Sequence, residues 1–288
     1  MTEREPGSSA APEEICGTST SALQIPNQGE PDLVVVANPD RAAGEAADRI
    51  AAALIAAAER RGRADFCTTG GRISISIYRL LAGSPLVERI PWPQVHVWWG
   101  DDRFVPRGHP ESNVTALDEV LLGGGSAGGA PLPRSNVHPF PTDRALAEGH
   151  DSSWCAARYA EELGLNVRLL EGNWPAFDLI LAGLGDDGHV LSCFPGSPAL
   201  TSMAWTMGVP APTHIGPHLP RVTINPRMLE AAPVLVVTWG VGKAGALGHV
   251  FGDTRDDRRW PVQRTRRAGA TWIVDEAAAA QIPARLRA

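Results

Sequence analysis

Cysteine is scarce in this sequence, and no two cysteines form a Cys-x-x-Cys pair. The 288 residues contain four scattered cysteines, namely Cys16, Cys67, Cys155 and Cys193. Structural zinc sites and disulfide frameworks depend on closely spaced cysteines. We therefore expect no metal site and no dense disulfide framework, and we predict a reduced, cytoplasmic environment.

The sequence also lacks an excess of positive charge and any long apolar run. Its net charge is −6, whereas proteins that bind nucleic acids or anionic membranes need clustered Lys and Arg. No segment reaches the ~18 uninterrupted apolar residues that span a bilayer. Residues 1–30 contain no apolar core of a signal peptide. The sequence therefore predicts neither a nucleic-acid partner nor a membrane partner.

The chain divides at about residue 30. Residues 1–30 are rich in Ser, Gly, Pro and Glu, a composition typical of a flexible tail. Residues 31–288 show no internal repeat and no second boundary. Since 43% of the whole chain is hydrophobic, a sizeable core can be buried, and we predict one α/β domain over residues 31–288.

Short apolar runs alternate with helical patterns along that domain. Predicted strands occupy residues 33–37, 66–69, 95–99, 179–184, 234–239 and 271–274. Predicted helices occupy residues 42–61, 73–81, 112–122, 153–163, 243–251 and 276–281, and Gly62 is the expected C-cap of the first. This order predicts a doubly wound, mostly parallel, Rossmann-like sheet flanked by helices. Ligands of such sheets bind beyond the carboxyl ends of the strands.

Two Gly/Pro-rich segments without apolar periodicity, residues 123–133 and 210–220, are predicted to be surface loops. The second contains His214 and His218, which are spaced like metal ligands on one face of a helix. Gly216-Pro217 lies between them and disfavours a regular helix, so no shared zinc-binding face is expected.

A strand that breaks into a glycine-rich acidic loop is the most informative segment. Residues 177–189 read Phe-Asp-Leu-Ile-Leu-Ala-Gly-Leu-Gly-Asp-Asp-Gly-His. Glycines here permit positive φ and let a ligand approach the backbone. Asp187 is near enough in sequence to orient the imidazole of His189 or its water, as general base catalysis requires. Taken alone, the pattern favours a simpler alternative, a tight turn in which His189 caps a following helix.

Further motifs accompany this segment in a fixed order. Residues 183–189 read Gly-x-Gly-x-Asp-Gly-His, and residues 192–196 read Ser-x-Phe-Pro-Gly. The others are Gly-Asp-Asp-Arg-Phe-Val-Pro at 100–106, Ser-Asn at 112–113, Phe-Asp at 177–178, Pro-Arg-Val-Thr at 220–223 and Gly-x-x-Lys-Ala at 240–244. Over roughly residues 33–283 the ordered set resembles the 6-phosphogluconolactonase family, and the set is more specific than any single motif.

The resemblance implies an α/β fold related to those of glucosamine-6-phosphate deaminases and ribose-5-phosphate isomerases. It implies hydrolysis of 6-phospho-D-glucono-1,5-lactone to 6-phosphogluconate, the second step of the oxidative pentose phosphate pathway, without an organic cofactor. His189 would be the general base, with Asp187 holding its geometry. The substrate would be bound by Gly70, Gly71, Arg72, Asp101, Arg103, Ser112, Asn113, Gly188, Arg221 and Lys243. Of these, three cations would converge on the phosphate, namely Arg103, Arg221 and Lys243.

The chain departs from the family pattern in two places. Asp102 replaces the usual Glu of the block at 100–106. Arg72, Ile73 and Ser74 stand where Ser, Thr and Pro are common, directly after residues 69–71 (Thr-Gly-Gly), whose backbone N–H groups at a helix start suit a phosphate dianion. Two roles are open for Arg72: a charged contact to the phosphate, or a solvent-facing position while the backbone binds.

Two alternative functions are open at this point. A glucosamine-6-phosphate isomerase or deaminase would share the fold and the Asp-Gly-His loop. Such enzymes use a Glu in an Asn-Glu-Pro context, where this chain has Cys-Phe-Pro at 193–195.

The second alternative is a catalytically weak phosphosugar-binding homologue. A sensor of that kind usually carries a DNA-binding helix-turn-helix, for which residues 1–30 are too short and too polar. No pattern defines the oligomeric state, and a monomer is the default expectation.

Overall fold

A parallel sheet forms the centre of the molecule, whose computed structural model describes residues 29–123, 128–170 and 172–287. The strands are β1 (Asp32–Val36), β2 (Ala64–Thr68), β3 (Val95–Trp99), β4 (Asp101–Arg103), β5 (Val137–His138), β6 (Leu179–Ala182), β7 (Thr206–Val209), β8 (Arg221–Ile224), β9 (Val234–Thr238) and β10 (Ala270–Asp275). Seven of them pair in the order β1-β10-β9-β6-β2-β3-β5. Every neighbouring pair in this sheet is parallel.

Helices flank the sheet and connect its strands. They are α1 (Pro39–Arg61), α2 (Gly71–Leu81), α3 (Leu86–Arg89), α4 (Asn113–Ala116), α5 (Thr142–Ala147), α6 (Ser152–Asn166), α7 (Met228–Ala231), α8 (Ala244–Val250) and α9 (Glu276–Ala279). The turns that continue α4 over Leu117–Leu122 have π-helical hydrogen bonding. Within the described ranges, no helix combines the length and the apolar character needed to cross a membrane.

The first helix shows how the sequence sets the ends of an element. The side chain of Asn38 accepts a hydrogen bond from the backbone N–H of Arg41, and Pro39 occupies the first turn. Both features are typical of helix starts. Gly62 ends the helix with φ 68°, a left-handed conformation that glycine adopts without steric cost. The Ala-rich face between them is buried against the sheet, so the helix lies close to the strands.

The central strands are short and apolar because both faces of the sheet are covered. All five residues of β2 and β9 and all four of β6 are buried. Continuous apolar runs of this kind are typical of parallel sheets with helices on both faces. Large aromatic side chains fill the surrounding core, among them Phe66, Trp98, Trp99, Phe177 and Trp272.

A second, smaller sheet is a feature that sequence analysis missed. Strands β4, β8 and β7 form an antiparallel sheet in that order. Strand β4 contains only polar residues, and β8 begins with Arg221, yet all four residues of β8 are buried. Because β4 is polar throughout and β8 alternates Arg and Thr with Val and Ile, neither strand carries a continuous apolar run that would predict it. The small sheet brings residues 101–103 beside residues 221–224.

The predicted fold class is confirmed, and the predicted parallel strands agree with the structure to within about two residues at each end. The helix predicted over 112–122 is instead an α-helical turn followed by a π-helical stretch. The loop predicted at 210–220 contains no helix or strand, while the loop at 123–133 falls partly on residues 124–127, which lie outside the described residues. The predicted tail lies outside them as far as residue 28. The single-domain interpretation stays a prediction.

Candidate active site

A cleft of about 890 Å³ lies beyond the carboxyl ends of the parallel strands. It is lined by the segments that follow β2, β6 and β9, at residues 69–73, 183–186 and 239–243. This is the position expected for a ligand site in a doubly wound sheet. The predicted site residues in its wall are Gly70, Gly71, Arg72, Asp101, Arg103, Asn113, His189, Arg221 and Lys243.

The loop after β6 delivers His189 to this wall. Two backbone hydrogen bonds close the loop, from Gly185 N–H to the His189 carbonyl and from Gly188 N–H to the Gly185 carbonyl, both at 2.9 Å. Gly188 has φ 87°, which explains the glycine at this turn. Residues 190–197 contain turns and no helix. The alternative in which His189 caps a following helix is therefore wrong.

The carboxylate of Asp187 accepts hydrogen bonds from His189. Its Oδ1 atom lies 2.5 Å from Nδ1 of His189 and 3.1 Å from the His189 backbone nitrogen. Burial alone would raise the pKa of Asp187, but hydrogen bonds from His189 and His214 and the charge of His189 outweigh it and lower the pKa. An ionised carboxylate only accepts hydrogen bonds, so Nδ1 of His189 is the donor. In the neutral ring, Nε2 then keeps its lone pair and can act as a base.

A second histidine on Asp187 was missed by sequence analysis. Nε2 of His214, in the loop at 210–220, lies 2.7 Å from Oδ2 of Asp187. The Gly/Pro-rich pattern correctly predicts a loop at His214, but no spacing rule relates this residue to one 27 positions earlier. The contact depends on the tertiary path of the loop, whose Ile215 and Gly216 also line the cleft.

Two arginines from the small sheet meet in one part of the cleft wall. The Arg103 guanidinium donates from Nη1 to the carbonyl of Glu111 at 2.9 Å and to the side chain of Asn113 at 2.8 Å. Arg221 is only 5% exposed. Burial and the neighbouring Arg103 lower the pKa of Arg221. Among the described residues, its buried Nε atom has no hydrogen-bond partner. Two crowded guanidinium groups in a cleft favour an anionic ligand.

Lys243 stands on another side of the cleft, in the turn after β9. Its ammonium donates to the carbonyl of Leu184 at 2.6 Å and to the carboxylate of Asp186 at 2.5 Å. Both acceptors belong to the loop that carries His189. Lys243 and Asp186 therefore form an ion pair in the cleft wall, and Lys243 connects the β9 and β6 loops.

The loop after β2 leads into the start of α2. Gly70 is the N-cap and Gly71, with φ 87°, is the first helical residue; no side chain caps the helix start. The first N–H groups of a helix lack partners within the helix. Arg72 is exposed and lines the cleft. A Cβ atom at Gly70 would lie 1.8 Å from the Asn113 side chain, so this loop packs directly on the residue that accepts a hydrogen bond from Arg103.

Asp102, the residue that departs from the family pattern, is buried behind the wall. Its carboxylate accepts hydrogen bonds from the backbone N–H groups of Arg103 and Asn113, both at 2.7 Å, and from the hydroxyl of Ser112 at 3.0 Å. Burial raises the pKa of Asp102 to about 7 in spite of these bonds. Asp102 therefore joins β4 to the start of α4.

Three predicted site residues lie outside the cleft wall. Asp187 is behind His189, and Ser112 is 5% exposed and directed to Asp102. Gly188 packs against an aromatic ring, since a Cβ atom there would lie 2.3 Å from Trp260. Their positions favour support of neighbouring residues over direct contact with a ligand.

Two other polar groups near the cleft have clear partners. The Ser192 hydroxyl donates to the Asp101 carboxylate at 2.6 Å. His218 binds the carbonyl of Pro212 through Nδ1 at 2.7 Å. Across residues 29–123, 128–170 and 172–287, no group of three or more His, Cys, Asp or Glu side chains is arranged to hold a metal ion.

The sequence matches the family described as "Glucosamine-6-phosphate isomerases/6-phosphogluconolactonase" over residues 37–273. A 6-phosphogluconolactonase of Streptomyces coelicolor is 34% identical over 261 residues, which cover 89% of this chain and 96% of the relative. A 6-phosphogluconolactonase of Synechocystis is 33% identical over 234 residues, covering 76% and 84%.

Solved structures with the same fold also match over most of the chain. The 6-phosphogluconolactonase of Trypanosoma brucei has a TM-score of 0.75 at 25% identity and covers 88% of this chain and 100% of its own. A monomeric glucosamine-6-phosphate deaminase has a TM-score of 0.67 at 15% identity, covering 87% and 99%, a likeness that concerns the fold alone.

Proposed function

Because the chain belongs to the glucosamine-6-phosphate isomerase/6-phosphogluconolactonase family, we propose that it hydrolyses 6-phospho-D-glucono-1,5-lactone to 6-phosphogluconate, with His189 as the general base. One observation carries this proposal. His189, backed by Asp187, lines the same cleft as the cations Arg103, Arg221 and Lys243. A base and a cationic anion site in one cleft are what a phosphorylated lactone requires.

The curated relatives favour the lactonase over the deaminase within this family. Both relatives described above carry the name 6-phosphogluconolactonase. At the position where the deaminase resemblance requires a carboxylate, this chain has Phe194, whose ring packs 4.8 Å from the His189 ring. Phenylalanine can transfer no proton, so the ring-opening step of a deaminase lacks its acid at this point of the cleft.

The proposed reaction needs a water, a base and a group that stabilises an oxyanion. His189 takes a proton from water at Nε2 while the water oxygen bonds to the lactone carbonyl carbon. A backbone N–H or Arg103 stabilises the carbonyl oxygen as its negative charge develops. The bond from this carbon to the ring oxygen then breaks, and protonated His189 returns a proton to that oxygen. The product acid ionises and releases one proton to solvent.

The substrate phosphate is proposed to lie near Arg103 and Arg221. The lowered pKa of Arg221 reflects burial and repulsion between these two cations, and a dianion would relieve that repulsion. The uncapped start of α2 offers backbone N–H donors on the same wall. Arg72 and Lys243 add charge at the rim, and Arg72 is assigned to the phosphate because it lines the cleft.

We further propose a cytoplasmic monomer that needs no metal or organic cofactor and acts in the oxidative pentose phosphate pathway. The small number of cysteines and the negative net charge support this setting. Size-exclusion chromatography with light scattering measures the oligomeric state. Activity that survives EDTA and dialysis would agree with a reaction that depends on the chain alone.

His189→Ala tests the proposed base. A general base contributes about 100- to 10,000-fold to a reaction rate, so we expect kcat for the phospholactone to fall by that factor while binding of 6-phosphogluconate is largely retained. The rate is followed as proton release and corrected for spontaneous hydrolysis.

Near-normal hydrolysis by this variant would remove His189 from the reaction, and ammonia release from glucosamine 6-phosphate by the wild type would favour a deaminase. Unphosphorylated glucono-1,5-lactone, which cannot use the cationic site, is the control substrate and should react more slowly.

A further inference from the structure

The loop at 210–220 carries a histidine that the proposed reaction does not use. Nε2 of His214 lies 2.7 Å from Oδ2 of Asp187, and half of the side chain is exposed, at 50%. Its ring meets the Phe194 ring edge-on, at 5.8 Å between centroids and 89° between planes. The next two residues, Ile215 and Gly216, line the cleft. His214 therefore joins the loop to the residues behind the catalytic base.

Both oxygens of the Asp187 carboxylate are occupied, each by a different histidine. Oδ1 accepts from Nδ1 of His189, and Oδ2 accepts from Nε2 of His214. The pKa of Asp187 is lowered although its burial acts in the opposite direction, so this group is a carboxylate and both histidines donate to it. A carboxylate held at one oxygen can rotate about its Cβ–Cγ bond. One held at both oxygens keeps its plane, and with it the direction of the hydrogen bond to His189.

Building on the proposed function, we propose that His214 is a positioning residue for lactone hydrolysis. Its Nε2–H fixes the Asp187 carboxylate, which keeps the proton of His189 on Nδ1 and directs the lone pair of Nε2 into the cleft. His214 acts through Asp187 and transfers no proton itself. The lowered pKa of Asp187 agrees with this, because a strongly acidic carboxyl is a poor proton carrier.

Besides His214 itself, the charged and titratable groups around this contact come from two segments. Asp187 and His189 belong to the loop after β6, and the Arg259 guanidinium donates to the Asp187 carbonyl at 3.3 Å. Phe194, on the remaining side, carries no charge. Within the part of the chain that the structure describes, these groups form no metal site. The contact of His214 is therefore a hydrogen bond to a carboxylate that a neutral donor can replace.

The same loop provides a matched control in His218. Its Nδ1 atom binds the carbonyl of Pro212 at 2.7 Å, a contact that lies within the loop and does not involve Asp187. His218 is not part of the cleft wall. Replacing His218 perturbs the order of the loop alone, whereas replacing His214 perturbs the loop and the Asp187 carboxylate.

Three variants of the full chain separate these effects: His214→Leu, His214→Gln and His218→Leu. Since small displacements of catalytic groups cost up to about 100-fold in rate, we expect His214→Leu to lower kcat by about 10- to 100-fold with KM changed by less than about threefold. His214→Gln should recover most of the loss, because its amide Nε2–H can reach the position of the imidazole Nε2–H. His218→Leu should keep a kcat close to that of the wild type.

Any of three results would overturn the proposal: a wild-type kcat in His214→Leu, an equal loss in His214→Gln, or an equal loss in His218→Leu. If His214→Leu does not fold, judged by its circular dichroism, His214→Asn replaces it, since the shorter amide does not reach Asp187.

An NMR measurement distinguishes failure of this inference from failure of the proposed function. In protein labelled with ¹⁵N-histidine, the Nδ1 proton of His189 reports its hydrogen bond to Asp187 without any turnover. We expect its downfield signal to be kept in His214→Gln and His218→Leu and to be lost by exchange in His214→Leu. If the wild-type chain does not hydrolyse the lactone, the proposed function falls and this signal decides the inference. An unchanged signal in His214→Leu would refute it.

Discussion

The absence of a side chain at Gly185 leaves room for the imidazole of His189. A Cβ atom at position 185 would lie 2.0 Å from Nδ1 of His189, the atom that donates to Asp187. We expect Gly185→Ala to push the ring away from Asp187 and to lower kcat by about 100-fold, the usual cost of misplacing a catalytic group by about 1 Å. Steady-state kinetics with the phospholactone measures this effect.

Gly183→Ala is the matched control for that change. It lies in the same loop, but a Cβ atom at position 183 would meet no atom within 4 Å among the described residues. We expect its kcat to exceed that of Gly185→Ala by about tenfold or more, since only Gly185→Ala displaces the proposed base, His189. Equal kcat values in the two variants would show that the space beside Nδ1 does not control the reaction.

At the scale of elements, Asp102 connects β4 to the start of α4 through a buried carboxyl. Its pKa is raised from an ordinary value of 3.8 to about 7, with burial as the main cause. The protonated Asp102 therefore adds to the free energy of unfolding. This contribution is complete below pH 3.8 and is lost as the pH rises through the pKa of the folded state, about 7. The slope of that loss is at most about 1.4 kcal/mol per pH unit for one proton.

Asp102→Asn removes this titration and keeps much of the hydrogen bonding. The amide oxygen can accept from the two backbone N–H groups, and the amide nitrogen can donate to the hydroxyl of Ser112. We expect the free energy of unfolding, measured by urea denaturation, to fall less between pH 5 and pH 7 in the variant than in the wild type. Asp48→Asn, which changes an exposed carboxylate of α1, is the control and should follow the wild-type pH dependence.

The elements that sequence analysis predicted are those whose hydrophobic pattern matches their burial. Strands such as β9, with the sequence Val-Leu-Val-Val-Thr, are apolar up to their last residue because helices cover both faces. Strand β4 is polar and only three residues long, so nothing in its pattern distinguishes it from a loop. The helix predicted at 112–122 shows a further limit. Apolar periodicity predicts a buried helical face but does not separate α-helical from π-helical hydrogen bonding.

At the scale of the whole molecule, the cleft is assembled from segments far apart in sequence. Parallel strands align their carboxyl ends, so residues 69–72, 183–189 and 239–243 were predictable as lying at one edge of the sheet, although their order in the sheet was not predicted. Arg103 and Arg221 enter the same wall through the antiparallel sheet, which was not predicted from pattern. The contact of His214 with Asp187 required the path of a loop, which short-range patterns do not determine.

The first described residues pair with a segment near the other end of the chain. The Glu30 carboxylate lies 2.5 Å from the Arg266 guanidinium. Since residues 1–30 have the composition of a flexible tail, we expect a chain that lacks residues 1–28 to keep the wild-type kcat and urea midpoint.

Adding Glu30→Gln to the shortened chain removes the ion pair. Because the pair is partly exposed, the expected loss of unfolding free energy is below about 1 kcal/mol. The hydrogen bond from Arg266 is the main cause that lowers the pKa of Glu30 from 4.5. The ion pair therefore stabilises the fold above pH 4.5, and this stabilisation is lost as the pH falls through the lowered pKa of Glu30. The difference in unfolding free energy between the shortened chain and its Glu30→Gln variant should shrink in acid. A difference that grows in acid would contradict this assignment.

Lys243 is the only lysine in the 288 residues, and it lines the cleft. Reagents that couple to side-chain amines thus have a single target, and a dye or solid support attached there would occupy the cleft proposed to bind the substrate. Thiol reagents do not reach Cys67, Cys155 and Cys193, because these three cysteines are buried; the fourth, Cys16, lies outside the described residues. A chain terminus is therefore the suitable point for attaching this protein to a surface or a label.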